Sequence, residues 1–327
     1  MSPQPASIKI NGPGDLIAVV PYLLGFAPES SLVVAGFNEL GYRSAFRVDL
    51  PERPEHALGV PDLVGQLLRS GCGQCIAIVY GPEPIAHAVA AVTARRCEAA
   101  DVEVIEVLRV EQGRYWSLTC DGSCCPPGRE VPVLTEAELA CFAAGVVALA
   151  DRAAVAAQLD PADKGARAAV AADTIACREM NAGQDQAAWR NDEYDYVDQW
   201  WDFPVLPWPA AMARLGLALA DGQIRDRALQ HIATHPDQVR LDVWIWLVRH
   251  LDGDLVAGAA IVAGFAAYRS GNGTLATEAF HLALAAAPGD ERAEALAEAC
   301  HLGVPPSEVA DWIGLGSAAT GEADRAN

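Results

Sequence analysis

At 327 residues the chain is long enough for two domains, each able to bury its own core. An apolar content of 52% with 20% charged residues excludes an intrinsically disordered chain. The 43 acidic against 23 basic residues leave a net charge of -20. Such a surface repels phosphate backbones and anionic lipid, which argues against unassisted binding of nucleic acid or membrane.

The first residues, MSPQPASIKINGPGD, lack the apolar core and basic leader of a signal peptide. The longest apolar run, Leu255 to Ala267, is too short to span a bilayer and is flanked by Asp252, Asp254 and Arg269. A cytoplasmic protein is expected. Its nine cysteines are then expected to be free thiols, mostly packed as small hydrophobes.

Residues 1–134 alternate in the α/β manner. The apolar segment LIAVVPYLLGF reads as a short helix with Asp15 at its cap, ended or bent by Pro21. Ser30–Phe37 and Ser44–Leu50 read as the two strands of a hairpin turning at residues 38–41. The leucine spacing predicts a helix over His56–Gly71. Cys75–Gly81 is a continuous apolar run of buried-strand type, Pro84–Ala100 a second helix, and Val102–Cys120 a strand pair around Gln112-Gly113. This order predicts a mixed sheet with helices packed on it, ending in the turn CDGSCCPPG.

Residues 135–315 read as an alanine-rich, all-α domain, and 316–327 as a disordered tail. Thr135 and Glu138 have capping-box spacing. Helices are predicted near 210–219, 224–234, 238–249, 255–270, 275–286 and 290–300. The stretch from Val262 to Cys300 resembles a tetratricopeptide-type hairpin: small residues sit where helices approach, Gly271-Asn272-Gly273 turns the chain, and Pro288-Gly289-Asp290 opens the next helix.

Two groups of residues are candidate sites. Cys120, Cys124 and Cys125 fall within six positions, and Cys72 and Cys75 form a C-x-x-C. Zinc takes about four ligands, commonly as pairs two to four residues apart, so these five cysteines make a candidate zinc site. The alternatives are a compact turn with buried thiols, or thiol redox chemistry in which Cys120 pairs with Cys124 or Cys125. Cys72 and Cys75 follow a helix and precede a strand. That is the reverse of a thioredoxin-like context, which puts the motif at a helix N-terminus.

The second group is the acidic, aromatic stretch from Gly183 to Pro209, with Trp189, Tyr194, Tyr196, Trp200, Trp201, Phe203 and Trp208. Tryptophan and tyrosine dominate interface energetics, so these rings are a candidate surface for a protein partner; the alternative is that they pack the junction of the two domains. His231 and His235, four apart, read as a solvated helix end. No catalytic constellation is visible: there is no G-x-S-x-G, no H-E-x-x-H, and the Asn11–Asp15 turn lacks the Lys-Ser/Thr of a phosphate loop.

The strings DLIAVVPYLLGFAPESSLVVAGF, FRVDLP and RVEQGRYWSLTCDGSCCPPG resemble an actinobacterial family of domains of unknown function, DUF4192-like. The likeness covers the first half well and the second half in character only. It implies a fold and a bacterial cytoplasm, and carries over no catalytic residue. The expected function is a non-catalytic protein-interaction or regulatory module. The alternative is a metal- or small-molecule-binding protein or enzyme whose site lies at the sheet edge, near Tyr80-Gly81 and the Cys120–Cys125 turn. Neither residues nor resemblance indicate an oligomeric state.

Overall fold

The computed structural model describes residues 9–120 and 127–315. The chain divides into two compact units, Met1–Val155 and Ala156–Asn327. The first unit contains α1 (Pro13–Leu24), β1 (Ser31–Asn38), β2 (Gly41–Asp49), α2 (Val64–Arg69), β3 (Gln74–Tyr80), α3 (Glu83–Ala99), β4 (Glu103–Glu111), β5 (Arg114–Ser117), β6 (Arg129–Glu130) and α4 (Glu136–Ala143), and the division falls within the last residues of α5 (Arg152–Ala156).

The sheet order is β2-β1-β3-β4-β5-β6. Only β3 and β4 run parallel, joined through α3; the remaining pairs are antiparallel. The expected mixed sheet is therefore present. Leu32 and Val34 of β1, Cys75, Ala77 and Val79 of β3, and Val107 of β4 form one core with Leu67 of α2 and Val89 of α3. The alternate residues Val33, Ala35, Ile78 and Leu108 are equally buried. Both faces of the central strands are covered, which is why β3 reads as an unbroken apolar run. Gln112 and Gly113 both have positive φ, as the tight β4–β5 turn requires.

Three expectations are corrected. Pro21 lies inside α1 and the helix continues to Leu24; Asp15 sits in its first turn, accepting a hydrogen bond from the Asn11 N–H at 3.0 Å. The helix expected over His56–Gly71 is two pieces, a 3-10 turn at Pro54–Gly59 and the short α2, because Pro61 falls between them. The division falls at Val155/Ala156 and not at 134/135. The helix α4, capped reciprocally by Thr135 and Glu138 as expected, buries Ala137 and Cys141 against Val19 of α1. Leu149 then bridges to Phe26, its N–H donating to the Gly25 carbonyl at 2.8 Å. Alanine-rich composition is a local property; membership of a unit depends on which surface a helix buries.

The second unit is helical: α6 (Lys164–Asn181), α7 (Gln186–Asp198), α8 (Pro209–Ala220), α9 (Gly222–Thr234), α10 (Leu241–His250), α11 (Leu255–Arg269), α12 (Gly273–Ala286), α13 (Glu291–Leu302) and α14 (Val309–Trp312). The six helices predicted from residue 210 onward are all present; α7 falls in the stretch for which none was predicted. Buried on nearly every side, α11 packs on α8, α9, α10, α12 and α13. Its apolar character is that of a central core helix. Among the described residues no helix is long and apolar enough to cross a membrane.

Candidate functional site

The candidate cysteines do not share one environment. Cys75 is in the core between β3 and α3, with its sulfur 3.8 Å from that of Cys97. Cys72 is also buried, 3.7 Å from the Ser44 hydroxyl. Cys120 is exposed, and its N–H donates to the Ser117 hydroxyl at 3.0 Å. Cys124 and Cys125 lie outside the described residues. The strand order puts β3 and β5 on opposite sides of β4, roughly 10 Å apart, whereas two thiolates on one zinc are separated by no more than ~4.6 Å. Cys72 and Cys75 serve as core and stand apart from Cys120. Among the described residues no three His, Cys, Asp or Glu side chains form a metal-binding group.

The sheet-edge site also separates into two places. Tyr80 pairs with Val110 near the carboxyl end of β4, whereas Thr119 reaches Glu106 near its middle. Cys120 thus lies ~15 Å along the strand from Tyr80-Gly81 at 3.3 Å per residue. At the carboxyl end of the parallel pair, where open α/β sheets commonly hold ligands, the Arg109 side chain fills the space. Its Nε donates to the Gly81 carbonyl at 3.2 Å, it pairs with Glu111, and its guanidinium lies 4.4 Å from the Trp116 ring centre. Glu83, in the first turn of α3, stands 4.0 Å away. Sequence reasoning missed this plug because Arg109 lies within β4 between the apolar Leu108 and Val110.

The aromatic stretch proves to be mostly structural. Asp185 caps α7, and three ion pairs tie that helix to α8 and α9: Arg190–Asp221 at 2.8 Å, Glu193–Arg214 at 2.9 Å and Asp198–Arg227 at 2.6 Å. Arg227 lies over Tyr194 and Arg214 over Tyr196. Trp200 and Trp201 are 1% and 3% exposed, so neither presents a surface. Trp201 stacks on His231 at 4.3 Å and meets Trp244 at 4.9 Å. His231 in turn stacks on His235, so the expected solvated helix end is half of an aromatic pile. Burial, and then the neighbouring His235, hold the His231 imidazole below its ordinary pKa. Trp189, Tyr194 and Tyr196 are half-buried.

What stays exposed is the link between α7 and α8. Trp208 is 52% exposed, Val205 50%, Leu206 39% and Phe203 36%. Trp200 supports them from beneath, 5.1 Å from Phe203 and 5.7 Å from Trp208. The backbone is braced twice: Arg240 donates to the Phe203 carbonyl at 2.6 Å, and the Trp246 indole to the Pro207 carbonyl at 3.2 Å. Pro204, Pro207 and Pro209 stiffen the same link. Phe203 stands among the rings read from the sequence; Val205 and Leu206 do not, although this proline spacing was a signal for a rigid, non-helical segment.

These features define a protein with a mixed-sheet α/β unit and a helical unit, the latter carrying a braced, solvent-facing aromatic link between α7 and α8. The chain belongs to the family described as "Domain of unknown function (DUF4192)", whose model matches residues 13–307. No curated protein and no solved structure matched this chain.

Proposed function

We propose that this chain is a non-catalytic protein-interaction module that presents the Phe203–Trp208 link to an apolar groove on a partner protein. The observation that supports the reading is the braced backbone beneath four exposed apolar side chains. A segment held in place before binding loses little conformational entropy on docking, and a central aromatic anchor is the usual source of binding energy. The filled carboxyl end of the β3–β4 pair supports a non-catalytic reading over a small-molecule site there. The packed succession α11–α12–α13 supports a tetratricopeptide-like arrangement in the same unit.

The test places a photo-crosslinking amino acid at Leu206, and at the exposed Leu40 as a control, in the full chain in its native host. A discrete protein adduct at Leu206, absent at Leu40 and lost when Phe203 and Trp208 are changed to Ser, is expected. Equal adducts at both positions, or none at Leu206, would exclude the link as a docking surface.

A further inference from the structure

Two thiols that are 22 positions apart in the chain meet inside the first unit. Cys75 projects from β3 toward α3, and Cys97 from the C-terminal part of α3 toward β3. Both are 0% exposed, and their sulfurs are 3.8 Å apart. The pair is chemically unequal. A hydrogen bond from Cys75 draws the Cys97 thiol below its ordinary pKa, while that same bond, together with burial, pushes Cys75 up. Cys97 is therefore the sulfur that ionises first.

A cavity of ≈ 10 Å³ adjoins Cys97, enough for about one water-sized molecule. Thr93, Arg96 and Asp62 contribute polar atoms to its wall, and Leu63, Val64 and Leu67 are among its apolar lining. A small uncharged oxidant is the reactant these dimensions suit; a peptide-sized, charged disulfide such as oxidised glutathione is not.

We propose that Cys97 and Cys75 are an oxidisable dithiol, which hydrogen peroxide converts to an internal disulfide joining α3 to β3. The Cys97 thiolate attacks one peroxide oxygen; the O–O bond breaks, and the departing hydroxide takes a proton to become water. Cys97 is left as a sulfenic acid. The Cys75 sulfur then attacks Cys97 Sγ, the S–O bond breaks, and hydroxide leaves as a second water with the proton that Cys75 gives up. Two thiols are oxidised by two electrons and one peroxide is reduced to two waters. The sulfurs close from 3.8 Å to the ~2.05 Å of a disulfide.

The first experiment uses the full-length wild-type chain, and its outcome depends on no variant. Native protein is exposed to hydrogen peroxide or to oxidised glutathione, its remaining thiols are blocked under denaturing conditions, and peptides are mapped by mass spectrometry. The expected product is a peptide pair linked through Cys75 and Cys97, two hydrogens lighter than the reduced pair, formed by peroxide at least ~10-fold faster than by glutathione disulfide. In Cys75→Ser, a sulfenic-acid-trapping dione should label Cys97; in Cys97→Ser it should not label Cys75. Failure to form the link at peroxide doses that oxidise the exposed Cys120 would overturn the proposal. So would a Cys72–Cys75 link in its place, or equal rates with the two oxidants, which would mean reaction through an opened chain.

Discussion

Arg214 of α8 donates from Nε to both carboxylate oxygens of Glu193, at 3.0 and 2.9 Å, while its guanidinium lies 3.8 Å from the centre of the Tyr196 ring. Glu193 is 4% exposed. One arginine thus neutralises a buried acid of α7 and covers a ring one turn further along the same helix. Removing it leaves a buried charge without a partner. Arg214→Ala should lower unfolding stability by about 2–3 kcal/mol, measured by urea denaturation. Arg214→Lys, which cannot reproduce the planar contact, should recover only part of the loss.

Glu193 also carries a pH dependence. Burial raises its pKa above the ordinary 4.5, and Arg214 offsets this only in part. A carboxyl raised in the folded state binds more protons folded than unfolded between the two pKa values. Stability therefore falls as pH rises through that window and is level above it. Glu193→Gln should remove this slope, and parallel slopes for wild type and variant between about pH 4 and pH 7 would refute the assignment.

His231 runs the other way. Its pKa is lowered from 6.5, so the unfolded chain binds the extra proton first, and stability drops as pH falls from 6.5 through the lowered value. His231→Phe keeps an aromatic ring stacked with Trp201 and His235 while removing the titration. The variant should lose less melting temperature than wild type between about pH 8 and pH 5; an unchanged difference would show that the stack does not titrate.

Gly258 lies on α11 where that helix crosses α8. A Cβ there would overlap the Leu219 carbonyl oxygen, a backbone atom that cannot rotate away. Alanine is the better helix former by about 1 kcal/mol, yet Gly258→Ala should destabilise by about 2 kcal/mol or more. Thermal unfolding decides between propensity and contact; a stabilised variant would mean that α11 and α8 do not approach as described.

Gly128 closes the proline-proline-glycine run with φ at +67°. A Cβ would also strike the Trp116 indole, and Arg114 donates to the Pro127 and Gly128 carbonyls at 3.0 and 2.7 Å. Left-handed backbone costs a side-chain-bearing residue about 1–2 kcal/mol before any overlap. Gly128→Ala should therefore lower the unfolding midpoint, whereas Arg129→Ala, at an exposed position beside it, should change it little; equal effects would shift the cause from glycine to the segment as a whole.

Whatever depends on neighbours within a few residues is legible in the amino-acid order. The reciprocal cap of Thr135 and Glu138, the β1–β2 hairpin, the turn at Gln112-Gly113 and the six helices from α8 to α13 follow from spacing, because capping, turn conformation and apolar periodicity are local effects. Family membership was legible for the same reason, in short motifs of the first half.

Tertiary packing settled where those elements spend their side chains. It placed α4 with α1, although α4 opens an alanine-rich run. It turned the aromatic stretch inward, because the arginines that neutralise α7 come from α8 and α9. It paired Cys75 with Cys97 and not with Cys72, its neighbour in the C-x-x-C. A strand sends residues three apart to opposite faces when both lie in it, and here Cys72 precedes β3 altogether, whereas α3 returns over the strand and sets Cys97 against it. Contacts between residues distant in sequence depend on chain crossings that no local pattern encodes.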